Sequence, residues 1–137
     1  MAIISTKGIY GLTAILILAK EKNKKLLQIK DIAAKGKIPQ NYLEQILIIL
    51  KKSGLVESIR GANGGYKLSK ATNEITVYEI LDALECCISY TENKGKNNLL
   101  QPFWEDVQKK IENIFLLTVN ELEEFLEKNS ENIIYYI

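Results

Sequence analysis

The chain has 137 residues, 47% of them hydrophobic, enough for one compact domain with an extension and too many for wholesale disorder. Its net charge of +1 conceals a division: residues 1–70 carry 13 Lys or Arg against four acids (+9), whereas residues 71–137 carry 5 against 13 (−8). One half is therefore suited to a polyanion, while two adjacent cysteines, Cys86 and Cys87, exclude a disulfide framework and fit a reducing cytoplasm.

Ser5 and Thr6 are N-cap candidates for a first helix running to about Glu21. Ile9, Leu12, Ile15, Leu16 and Ala19 form its apolar stripe, which Ile17 and Leu18 widen nearly all round, so it should be covered on most sides. The apolar run from Gly8 to Ala19 is shorter than the roughly 20 residues that span a bilayer, and it lacks a signal-peptide cleavage pattern; no membrane association is expected. After the polar Lys22-Asn23-Lys24-Lys25, a short helix is expected from about Ile29 to Lys35, with Ile32 and Ala33 inward and Gly36 terminating it. Pro39 suits the first turn of a third helix, which runs to about Ser53 and is closed by Gly54. Leu43, Ile46, Leu47 and Leu50 give that helix one apolar face, opposite Gln40, Asn41, Glu44, Gln45 and Lys52. Leu55–Ile59 and Tyr66–Leu68 read as strands, joined by a turn at Asn63-Gly64 in which both positions need positive φ. Two helices across a tight turn, followed by a β-hairpin, make a winged helix-turn-helix.

Thr76-Val77-Tyr78-Glu79 is a capping box, with Ile75 and Ile80 as its hydrophobic staple, and opens a fourth helix ending near Cys86–Ile88. Ser89–Asn98 reads as a connection. A long helix is expected from about Leu99 to Leu117, with Phe103, Val107, Ile111 and Ile114 along one face. Thr118-Val119-Asn120-Glu121 is a second capping box, with Leu117 and Leu122 as staple, opening a last helix that bears Phe125 and Leu126. The apolar tail Ile133–Ile137 is expected to dock on the body.

The third helix is the candidate reader of DNA. Asn41 and Gln45 carry amides that can bond adenine in a bidentate way, Glu44 can accept from cytosine N4, and Gln40 sits at the helix start that enters the major groove. Gln28, Lys30, Lys51, Lys52 and Lys67 suit phosphates. Arg60, Gly61, Asn63 and Gly64 form a glycine-rich tip whose arginine fits a narrow minor groove. A nucleotide-phosphate loop is rejected, because Tyr66 stands where that motif needs glycine and a strand follows in place of a helix. An ordinary hydrated helix face and a plain hairpin are the bland alternatives; their adjacency and the +9 charge argue against them. Glu121, Glu123, Glu124 and Glu127 read as a solvated face, and no catalytic constellation is present, so no enzyme, metal site or cofactor is expected.

Four segments resemble the Rrf2 (IscR/NsrR/CymR-like) family of bacterial regulators: Ser5-Thr6-Lys7-Gly8-Ile9-Tyr10-Gly11-Leu12, Tyr42-Leu43-Glu44-Gln45-Ile46-Leu47, Gly54-Leu55-Val56-Glu57-Ser58-Ile59-Arg60-Gly61, and Gly64-Gly65-Tyr66-Lys67-Leu68. The likeness is dense over residues 1–88 and looser beyond. The resemblance implies base contacts from Asn41, Glu44 and Gln45, a minor-groove contact from Arg60, and a dimer formed through the long helix around Val107–Ile114. Several members of the family hold an iron–sulfur cluster through three spaced cysteines before that helix; Ser89–Asn98 contains none, and the chain has no histidine. Cys86 and Cys87 are candidates for a thiol sensor, with small apolar helix residues as the alternative. In lacking cluster ligands the chain is more similar to the branch of the family whose activity depends on a protein partner, a cysteine-synthesis enzyme.

The expected architecture is thus mostly α with a small β-hairpin wing. Residues 1–70 would form the winged helix-turn-helix, and residues 71–137 a helical linker and dimerisation region. The expected function is sequence-specific regulation of transcription, as a cytoplasmic homodimeric repressor on double-stranded DNA, tuned by a regulatory protein or a small-molecule effector. The rivals are a winged helix that binds an acidic protein instead of DNA, and a redox-sensing regulator.

Overall fold

The computed structural model describes residues 4–21, 25–85 and 99–135, with side chains described as far as residue 130. Six helices and one hairpin follow in order: α1 (Thr6–Ala19), α2 (Ile29–Gly36), α3 (Gln40–Lys52), β1 (Val56–Ile59), β2 (Gly65–Leu68), a 3-10 turn (Thr72–Glu74), α4 (Val77–Glu85), α5 (Gln101–Ile114) and α6 (Val119–Tyr135). Helices α1 to α4 pack on one another around a core of Ile15, Leu18, Ile32, Leu43, Ile46, Leu47, Leu50, Ile80 and Leu84, which also takes in Ile75 and Val119. Among the described residues no helix is long and apolar enough to cross a membrane.

Ser5 caps α1 by accepting from the Gly8 N–H at 3.3 Å, and its own hydroxyl donates to Glu85 Oε1 at 2.6 Å, tying the start of α1 to the end of α4. The buried side of α1 is Gly8, Gly11, Ala14, Ile15 and Leu18, while Ile9, expected inward, is 55% exposed. The cause is close packing: a Cβ on Gly11 would collide with the Leu84 side chain, so the glycine edge faces α4 and Ile9 is turned out.

The turn between α2 and α3 also differs from expectation. Gly36 is the last residue of α2, and the left-handed residue after it is Lys37 at φ 53°. A Cβ at Gly36 would press on Ile17 and Ile38, so that position is small to let α1 and the turn approach. The Ile38 N–H then donates to the Ala33 carbonyl at 3.0 Å, and Ile38 enters the core. Helix α3 closes as expected, in a Schellman motif: Leu55 N–H donates to Leu50 O and Gly54 N–H to Lys51 O, each at 3.0 Å, with Gly54 at φ 77°. That closure buries Leu55 against the core and aims the chain into β1.

The strands pair antiparallel from Val56↔Leu68 to Ile59↔Gly65, leaving residues 60–64 as the loop. The positive φ expected at Asn63 and Gly64 is not found. Within the loop Gly64 N–H donates to Gly61 O at 3.0 Å, and Asn63 is not at positive φ. Gly64 is required for space instead, since a Cβ there would collide with the Ile59 carbonyl oxygen. On its other edge β2 pairs with Leu27, whose N–H donates to Tyr66 O at 3.0 Å and whose carbonyl accepts from Tyr66 N–H at 2.8 Å.

The two capping boxes meet each other. Thr76 Oγ1 accepts from Glu79 N–H at 3.1 Å, while Glu121 and Thr118 bond reciprocally, each to the other's N–H, at 3.3 and 3.1 Å. Thr76 and Thr118 form an antiparallel bridge, in which Val119 N–H donates to Ile75 O at 2.8 Å. Val77 and Tyr78 donate to Leu117 O and Phe115 O, so free N–H groups at the start of α4 are satisfied by the chain leaving α5. Helix α5 is shorter than expected, ending at Ile114, and none of its residues is buried. The Cys86–Cys87 pair, the Ser89–Asn98 connection and the side chains of the apolar tail lie outside the described residues.

Candidate nucleic-acid interface

The apolar face of α3 fixes which of its residues remain outside. With Leu43, Ile46, Leu47 and Leu50 all buried, Gln40, Asn41, Glu44 and Gln45 project into solvent. No side-chain hydrogen bond or ion pair within the protein engages any of these four among the described residues. Their amide and carboxylate groups are thus free to exchange water for base edges without breaking an internal contact.

The hairpin lies beside this helix. A groove of about 530 Å³ runs between them, lined by Gln28 and Ile29 at the start of α2, Leu47, Ile48 and Lys51 on α3, and Ser58 to Gly61 with Gly64 to Tyr66 on the wing. Two contacts hold it together: Lys51 Nζ donates to Ser58 Oγ at 2.6 Å, and the Leu27–Tyr66 bridge pins the wing to the residue before Gln28. Arg60, Gly61 and Asn63 are exposed at the tip. Lys30 and Lys52 are exposed on α2 and at the end of α3.

The groove thus gathers Gln28, Lys51, Arg60, Gly61 and Gly64. Lys67 is not with them. Alternation along β2 turns it to the other face of the hairpin, where its Nζ lies 3.7 Å from Glu57 Oε2. There it lines a cleft of about 790 Å³ shared with Lys70, Glu74 and the α6 carboxylates Glu123, Glu124 and Glu127. On the far flank of α3, Asn41 and Gln45 border a shallow hollow with Thr6, Tyr10, Pro39 and Tyr42, where the two tyrosine rings meet edge-on with centroids 5.6 Å apart.

Sequence reasoning did not find Leu27 or Ile48. The Leu27 bridge has no local signal, being a single residue paired to a strand 39 positions away. Ile48 lies off the apolar face formed by Leu43, Ile46, Leu47 and Leu50, and it is 53% exposed. Phe103 and Ile114 on α5 are 56% and 67% exposed, and Val107 and Ile111 on the same face are half-buried.

The chain is similar over most of its length to known regulators. The Rrf2 family model, described as "Iron-dependent Transcriptional regulator", matches residues 4–130. The chain is 34% identical over 136 residues to the HTH-type transcriptional regulator CymR of Bacillus subtilis, covering 98% of this chain and 99% of that protein. It is 33% identical over 115 residues to the HTH-type transcriptional regulator IscR of Pectobacterium carotovorum, covering 79% of this chain and 70% of IscR. Among solved structures, CymR (YrzC), the global cysteine regulator of B. subtilis, superposes with a TM-score of 0.80 at 35% identity, over 91% of this chain and 98% of that one. IscR of T. potens superposes with a TM-score of 0.76 at 33% identity, over 92% and 89%.

Proposed function

The chain belongs to the Rrf2 family of DNA-binding transcriptional regulators, and from that premise we propose that it is a cytoplasmic homodimeric repressor acting at a palindromic operator without an iron–sulfur cluster. The observation that carries this reading is the groove in which wing and third helix run side by side, with the partner-free edge of α3 beside it. A helix of this width enters the major groove start first, bringing Gln40, Asn41, Glu44 and Gln45 to base edges. The wing then reaches the adjacent minor groove, where Arg60 meets concentrated negative potential and Gly61, Asn63 and Gly64 let the backbone come close. Gln28, Lys30, Lys51 and Lys52 bind phosphates and set the register; Lys67 contributes charge from the back of the wing. Residues 1–70 carry the reading surface. Residues 71–137 supply the dimer contact through Phe103, Val107, Ile111 and Ile114; a second copy accounts for the exposure of Phe103 and Ile114 in a single chain.

A cluster takes about four ligands, mostly thiolates. This chain offers two cysteines in sequence and no histidine, too few donors from one copy. Protein purified without oxygen should accordingly show no visible absorption band.

Selection of the full-length chain on random duplexes tests the main reading. The expected result is an enriched inverted repeat with half-sites about one or two helical turns apart, bound with log K falling by about 0.9 per phosphate contact on log salt. Selection that enriches nothing overturns it.

A further inference from the structure

We propose that Ile48 is a specificity-determining residue that reads a thymine methyl group, an inference that rests on the DNA-reading role of α3. Exposed isoleucines are common on protein surfaces and mean nothing singly. This one stands in a position that gives it meaning. At about 100° per residue, Ile48 falls about 20° from Asn41, 40° from Glu44 and 60° from Gln45 around the α3 axis. It is therefore at the middle of the face that the other three residues define, one turn further along. That face is otherwise made of amides, a carboxylate and lysines, so a side chain left 53% in water there costs hydration that a polar residue would avoid.

A second apolar group stands opposite. Ile59, 51% exposed, lines the same groove from the wing side, and Ile48 lies on its helix side. The groove thus has two exposed apolar side chains, Ile48 and Ile59, alongside the Lys51 and Arg60 cations. Among the edges that duplex DNA presents in the major groove, the C5 methyl of thymine is the apolar one. Burying it against an isoleucine is favourable, whereas a cytosine at that place offers an amino group that no atom of Ile48 can accept. Lying one helical turn beyond Glu44 and Gln45 and lining the groove beside the wing, Ile48 would meet its thymine next to the pairs that they read, on the wing side of each half-site.

The test uses the full-length chain and the operator recovered by selection. Each thymine is replaced in turn by deoxyuridine, which removes the methyl and keeps every hydrogen-bonding group. Wild-type protein should lose about fourfold in affinity at one thymine per half-site, the loss expected for one buried methyl group. Ile48→Ala should bind the unmodified operator more weakly and lose nothing further at that thymine. Because Ile48 contributes little to the core, circular dichroism and the thermal midpoint should not change. An equal deoxyuridine penalty in wild type and Ile48→Ala, no penalty at any thymine, or an enriched operator without thymine on the wing side of the half-site would each overturn the assignment while leaving the regulator reading intact. Failure to enrich any operator would overturn both.

Discussion

Glu44 and Gln45 leave α3 next to each other, exposed and without protein partners among the described residues, so truncating either should cost recognition and not folding. Glu44→Ala or Gln45→Ala is expected to relax preference at particular base pairs by about 1–3 kcal/mol, measured by competition against operators changed one pair at a time. Lys51→Ala should instead weaken all duplexes alike and lower the salt slope by about 1, since a phosphate contact carries no sequence information. Its bond to Ser58 adds a slight loosening of the wing. Gly64 makes the opposite kind of demand. The Ile59 carbonyl fills the space a side chain would need, and that oxygen belongs to the facing strand and cannot swing aside. Gly64→Ala should distort the wing at a cost of about 1–3 kcal/mol, seen as lower DNA affinity with helical circular dichroism retained.

Among the elements, α3 was almost fully legible. Its apolar residues repeat with helical spacing, proline precedes it, and Gly54 supplies the left-handed closure, all signals that lie within 16 residues of one another. The capping boxes were legible for the same reason, and Thr118→Ala should lower stability by about 1 kcal/mol in denaturant unfolding, because the Glu121 N–H loses the hydroxyl that accepts from it. Helix α1 was legible as a helix but not in its orientation. A cylinder apolar on nearly every side gives periodicity nothing to choose between, and the glycine edge that meets Leu84 made the choice. The hairpin was legible, but its turn chemistry was not: neither Asn63 nor Gly64 takes the positive φ that an Asn-Gly pair suggests. The pairing of Ile59 with Gly65, and of Leu27 with Tyr66, sets a five-residue loop whose conformation local sequence does not specify.

At the scale of the molecule, basic and acidic halves have separate tasks in the proposed dimer. The proposed DNA-reading surface is built on α3 and the wing, and on α5 Phe103 and Ile114 are left exposed among the described residues. Ile114→Glu changes a residue already 67% exposed, so the single chain should fold as before. Sedimentation should then show a monomer, with operator affinity lowered by at least tenfold, because two half-sites no longer bind as one unit. A variant that stays dimeric would move the interface elsewhere.

Composition, spacing and caps by themselves determined the helices, the wing, the polar edge of α3 and the charge that suits a phosphate backbone, since each depends on neighbours close in sequence. Tertiary structure decided which side of α1 is buried, why Lys37 and not Gly36 takes the left-handed turn, that Lys67 faces away from the groove, and that Ile48 faces outward beside Ile59. These outcomes depend on atoms brought together from distant parts of the chain, where excluded volume and a single strand bridge select among arrangements that local pattern leaves equal.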